Sequence, residues 1–178
     1  MSWIAAHRPA VLKRIRVVTG ASVGAVNATF LASHGMNTDA VRKLEQVWLG
    51  LHTSRVLALP TTHFLRMVLA MGRRLMGAPV DPSRALFFTD PFERLVKEIV
   101  DWPGLHRRID CGRIWGVAVA ATEIGSGKTH IFAEHCAERP SPRWPNDRSM
   151  AGFSTQLEPS HVTASASLPF LFRPVRVG

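Results

Sequence analysis

The chain has 178 residues, 46% of them apolar and 20% charged, a globular composition that excludes an intrinsically disordered chain. Its formal charge of +9 suits an anionic partner such as lipid headgroups or nucleic acid. The arginines, including Arg14, Arg16, Arg42, Arg55, Arg66, Arg84, Arg94 and Arg113, are nonetheless scattered, which is also the pattern of an ordinary solvated surface.

In chain order, the β-branched run Ile15 to Thr19, bounded by Gly20, predicts a strand, and the small residues Ala25 to Ser33 predict a helix that stops before Gly35. Asn37 or Thr38 can cap a further helix through Leu49, where Val41, Leu44, Val47 and Trp48 share one face and Gly50 is the stop. Residues 61–76 predict a basic amphipathic helix. Phe64, Leu65, Val68, Leu69 and Met71 form its apolar side, with Arg66, Arg73 and Arg74 opposite. Asp90, Pro91 and Glu93 read as cap, first-turn proline and capping-box acid of a helix to about Val100 that Pro103 and Gly104 end.

Ile114 to Ala121 is almost wholly apolar, as in a strand covered on both faces, and Gly125 to Lys128 turns it into a second strand, Thr129 to His135. Arg139 to Ser149 reads as a surface loop, Ser160 to Ser167 as helical and Pro174 to Gly178 as extended. The two cysteines, Cys111 and Cys136, are too few for a disulfide scaffold and lack CxxC spacing, so a reducing compartment is expected. No apolar run reaches signal-peptide or membrane-span length, and the chain reads as cytoplasmic or peripheral to a membrane.

Gly20-Ala21-Ser22-Val23-Gly24 is a GxSxG sequence between a predicted strand and a predicted helix, the setting a nucleophile elbow requires. The chain must reverse so sharply there that its flanking residues have to lack bulk, which Gly20, Ala21 and Gly24 do. Ser22 would be the nucleophile, while the Val23 N–H and the helix N-terminus face a developing oxyanion. The bland alternative is a tight strand-to-helix turn in which Ser22 is only the helix cap.

Two further segments, Ala121 to Lys128 with Phe132, and Ala164 to Val175 (ASASLPFLFRPV), lie downstream in matching order. With Gly20 to Asn27, they make the chain resemble the patatin-like serine acyl hydrolases over most of its length. The resemblance implies one patatin-like domain over 1–178, a three-layer α/β/α sandwich with a mostly parallel central sheet. Ser22 would stand at the carboxyl end of an inner strand, and helices from about 38 to 100 would form an insertion over the site. It also implies a Ser-Asp dyad that hydrolyses carboxylic esters of lipids without metal or organic cofactor. The family's acid belongs to an Asp-Gly motif just beyond the position of Gly178, and its oxyanion loop is glycine-rich and precedes the strand. This sequence has no Asp-Gly, and residues 1–14 have no glycine. The expectation is therefore a partial domain, inactive alone; a catalytically silent lipid-binding module is the alternative, with residues 61–76 as its membrane contact.

The run Gly125 to Thr129 (GSGKT) departs from a phosphate-binding P-loop, which needs glycine where Thr122 stands, and it lies between two strands. His161, the histidine nearest the C-terminus, is a weak rival as the base of an ordinary α/β-hydrolase. The histidines show no metal-ligand spacing, and no nucleic-acid recognition motif accompanies the positive charge.

Overall fold

A computed structural model describes residues 2–51, 90–144, 146–167 and 174–177. Its elements are α1 (Ser2–His7), α2 (Pro9–Leu12), β1 (Val17–Ala21), α3 (Val23–His34), α4 (Thr38–Gly50), α5 (Asp90–Ile99), α6 (Trp102–Asp110), β2 (Gly116–Thr122), β3 (Thr129–His135), β4 (Met150–Ser154) and α7 (Pro159–Ala166). The strands form one sheet in the order β1-β2-β3-β4. β1 runs parallel to β2 and β3 parallel to β4, while β2 and β3 form an antiparallel hairpin. The expected α/β class with a mostly parallel sheet is thus observed.

Register explains which face of the sheet is covered. Val18, Val117 and Glu134 lie side by side, as do Gly20, Val119 and Phe132, and α3 and α7 pack across β1 and β2. Val117 and Val119 are buried, whereas Gly116, Ala118 and Ala120 between them are only partly covered, and Val17 is 58% exposed. This alternation is that of a strand with one covered face. The sequence suggested two, because alanine and glycine are apolar yet small enough to stand half-exposed. Among the described residues β1 is an edge of the sheet rather than the inner strand that the resemblance implied.

The helical layer is held by specific caps. Asn37 accepts the Ala40 N–H at 2.8 Å at the start of α4, and Val41 and Leu44 are buried while Val47 and Trp48 pack on the core. Trp48 Nε1 donates to Asn27 Oδ1 of α3 at 2.9 Å. Gly35 ends α3 at φ 100°, where its N–H and that of Met36 both reach the Leu31 carbonyl, a left-handed cap that favours glycine. Arg108 of α6 donates through Nε to the Ser33 carbonyl at 2.9 Å.

Four elements go beyond or depart from the sequence expectation. Pro103 and Gly104 do not simply end a helix; they open α6. Asp101 is its cap, accepting the Gly104 N–H at 3.0 Å, and a Cβ on Gly104 would run into that carboxylate. β4, just past the expected loop at 139–149, and the short helices α1 and α2 carry no sequence expectation. The hairpin turn stands as expected: Glu123 N–H meets the Lys128 carbonyl at 2.8 Å, and Gly127 sits at φ 71°. The expected amphipathic helix over 61–76 lies outside the described residues.

Two buried polar residues organise the second half of the fold. Glu134 on β3 is 9% exposed; it pairs with His106 Nδ1 of α6 at 2.8 Å and accepts the Leu157 N–H at 2.7 Å. It therefore joins sheet, helix and the lead-in to α7. His161, 4% exposed, is the N3 residue of the α7 capping box. Its Nδ1 accepts the Glu158 N–H at 2.9 Å, and its ring packs on Phe132. Burial pushes the His161 imidazole below its ordinary pKa against the opposing pull of the Glu158 carboxylate.

Two outcomes follow from this packing. Gly20→Ala would drive its Cβ into the Gly24 carbonyl oxygen, which is backbone and cannot rotate away; the variant is expected to lose about 3 kcal/mol in urea denaturation. Because the unfolded His161 binds a proton at a higher pH than the folded one, stability should fall as the pH drops below about 6.5. Thermal unfolding across pH 5 to 8 should show a shallower acid slope in His161→Gln than in the parent chain.

Candidate active site

The GxSxG residues sit where β1 hands over to α3. β1 reaches Ala21, two residues beyond the expected end, so that Gly20 is inside the strand and Ser22 alone makes the turn before α3 begins at Val23. Ser22 has φ 54° and ψ −130°, a combination that side-chain-bearing residues avoid and that costs roughly 1–3 kcal/mol. Gly20 makes this possible. The space its side chain would occupy is filled by the Gly24 carbonyl and the Ala25 nitrogen, so strand and helix cross in direct backbone contact.

The two glycines do different work. A Cβ on Gly24 would meet nothing within 4 Å, so Gly24 is not required by the packing of the turn, contrary to the expectation that both flanking glycines clear the reversal. Val23, 50% exposed, sits at the first position of α3. The first N–H groups of a helix have no partner within it, and they carry its positive end.

Ser22 occupies the N-cap position, yet its side chain makes no capping hydrogen bond. Among the described residues its hydroxyl forms no hydrogen bond, whereas its backbone N–H donates to Ser165 Oγ on α7 at 2.8 Å. The cap reading of this serine is therefore not what the geometry offers: the hydroxyl is left half-buried and uncommitted. No histidine or carboxylate among the described residues bonds to it. His161 in particular is engaged by Glu158 and Phe132.

A cavity of about 540 Å³ opens at the far end of the β2–β3 hairpin, lined by Thr122, Glu123, His130, Phe132, Phe153 and His161, with Ala164 of α7 and its C-cap Ser167 along one wall. Ser22 does not line it. Residues 164 and 167 face this cavity while Ser165 reaches the turn, so α7 lies between the two. Glu123 and His130 approach to 3.6 Å at its rim. Among the described residues, no group of three His, Cys, Asp or Glu side chains could hold a metal ion, and no helix is long and apolar enough to cross a membrane.

Sequence reading located Ser22 and its strand-turn-helix setting but missed Ser165 as a neighbour of the turn. The segment 164–175 stood out only as a family signature, with no cue that its serine meets Ser22. A family model described as patatin-like phospholipase matches residues 2–178. No curated protein and no solved structure gives a match. With the fold and the GxSxG turn, this match over almost the whole chain shows that the protein belongs to the patatin-like phospholipase family, a family of lipid acyl hydrolases.

Proposed function

We propose that the chain carries the nucleophile of a lipid acyl hydrolase, and that Ser22 is that nucleophile. The observation that supports it most directly is the strained backbone of Ser22 together with a hydroxyl not used for capping. Strain of this kind persists only where the surrounding structure over-determines it, and it clusters at active sites; a cap alone would need neither the positive φ nor a free hydroxyl.

In this reading the Ser22 oxygen attacks the ester carbonyl as its proton passes to a carboxylate base. The tetrahedral oxyanion is met by the Val23 N–H at the start of α3. Collapse expels the alcohol of the lipid and leaves an acyl-serine, which water then cleaves by the same route. The proton acceptor is read as the Asp of an Asp-Gly motif, which residues 1–178 do not contain. The chain alone is therefore expected to hydrolyse esters weakly or not at all, since a positioned base contributes about 10²–10⁴-fold. Lipid headgroup and acyl length are open to the same chemistry, and contact with a membrane through residues 61–76 belongs to this proposal as well.

Hydrolysis of a short-chain p-nitrophenyl ester, measured with this chain and with the chain extended through its coding frame at both ends, tests the reading. The extended protein should be active, and Ser22→Ala should lower its rate by at least about a thousandfold; activity that survives the substitution would sink the proposal. Liposome binding indifferent to Ser22→Ala in an inactive extended protein would instead favour the silent lipid-binding module. Gly24→Ala should fold and gain about 0.5–1 kcal/mol in helix stability. The added methyl meets nothing within 4 Å, so the melting temperature of the variant, read by thermal unfolding, should hold or rise.

A further inference from the structure

Ser165 is the residue of the described structure whose position has no account in the chemistry above. Its hydroxyl accepts the Ser22 N–H at 2.8 Å and donates its own proton to the Ala120 carbonyl at 2.6 Å. A hydroxyl has one proton and two lone pairs. With the proton committed to Ala120, a lone pair is what faces Ser22, and the direction of both bonds is fixed.

The register of the sheet shows what this hydroxyl replaces. β1 and β2 are parallel with Val17 opposite Gly116 and Ala21 opposite Ala120, and the Gly116 N–H bonds to the Arg16 carbonyl. In a parallel ladder the bonds recur evenly along the pair, alternating in direction with a two-residue repeat in each strand. Carried forward from Arg16, the next rung after the strand ends would join the Ser22 N–H directly to the Ala120 carbonyl. These are the two groups that Ser165 Oγ bridges. Its oxygen stands inside that rung, holding the donor and the acceptor apart without leaving either unsatisfied.

We propose that Ser165 is a positioning residue for the Ser22 nucleophile: its hydroxyl, inserted into the last β1–β2 rung, terminates the ladder and holds the Ser22 backbone at positive φ. The inference rests on the reading of Ser22 as the nucleophile. If the rung closed directly, Ser22 would continue as extended strand, and its hydroxyl and the Val23 N–H would lose their common orientation. Removal of the hydroxyl hands the Ser22 N–H and the Ala120 carbonyl over to exchanging water, which fixes neither group. The turn is then released, and a displacement of this order at a reacting atom costs on the order of a hundredfold in rate.

The test has a structural arm and a chemical arm. Amide exchange and backbone ¹³C shifts of Ser22 are read by NMR in the present chain, in Ser165→Ala and in the hydroxyl-retaining Ser165→Thr. The rate of fluorophosphonate labelling at Ser22 is read by mass spectrometry in the extended protein carrying the same substitutions, with Ser22→Ala as control. Ser165→Ala should exchange the Ser22 amide at least about tenfold faster, with β2 amides unchanged, and move the Ser22 shifts toward extended values. Its labelling should slow about tenfold to a hundredfold, and Ser165→Thr should restore both. Should Ser165→Ala not fold, Ser165→Cys, a weaker acceptor of similar volume, carries the same comparison. An unchanged Ser22 amide overturns the inference, as does a released amide with unchanged labelling. Labelling that persists in Ser22→Ala removes the nucleophile and the inference with it, a result distinguishable because the NMR arm still reports whether the rung is bridged.

Discussion

The backbone contact between β1 and α3 at Gly20 is the constraint on which the rest of the site depends. With no side chain at residue 20, the Gly24 carbonyl can lie where a Cβ would be, and α3 can start one residue after the strand ends. That abrupt start fixes three things together: the positive φ of Ser22, the exposure of Val23 at the helix N-terminus, and the angle at which α3 crosses the sheet. The helices α4, α6 and α7 then pack on α3, so the orientation set at one glycine is inherited by most of the helical layer. A strain of roughly 1–3 kcal/mol at Ser22 is a sizeable share of the 5–15 kcal/mol by which domains are stable. It is sustained because the buried face of α3, from Ala25 to Ser33, over-determines the helix position.

Much of this was legible in the sequence where local chemistry decides local structure. The β-branched run before Gly20, the cap at Asn37, and the glycine turn between β2 and β3 each carry their own instruction, and each is found in place. What could not be read were the consequences of contacts between distant residues. Pro103 and Gly104 are ambiguous punctuation until Asp101 is seen to cap the helix they open. Ala118 and Ala120 read as core because they are apolar, although their side of β2 is only partly covered. The role of Gly24 looked equivalent to that of Gly20, yet only Gly20 has backbone against it. The pairing of Ser165 with Ser22, like that of His106 with Glu134, is set by topology and leaves no periodic trace.

The buried carboxylate of Glu134 complements the turn from the other side of the helical layer. One oxygen takes His106 and the other the Leu157 N–H, so neither is left uncompensated in a site where an unpaired charge would cost several kcal/mol. The result is a fixed entry into α7, two residues before the capping box of Glu158 and His161 begins the helix. Helix position, and with it the reach of the Ser165 hydroxyl, is thereby referred back to the central hairpin. The serine turn is held from below by its own strand and helix and from beside by an element anchored through β3.

The sequence separation of 143 residues between Ser22 and Ser165 has a consequence in time as well as in space. On a ribosome adding roughly 5–20 residues per second, α7 is made about 7–30 s after the serine has left the tunnel's entrance. Through that interval nothing inserts into the final rung, and Ser22 is an ordinary serine in an unfinished chain. On the proposed reading, the geometry that makes Ser22 reactive is completed only when α7 has been made, so until then the nascent chain carries the hydroxyl in an unarmed form.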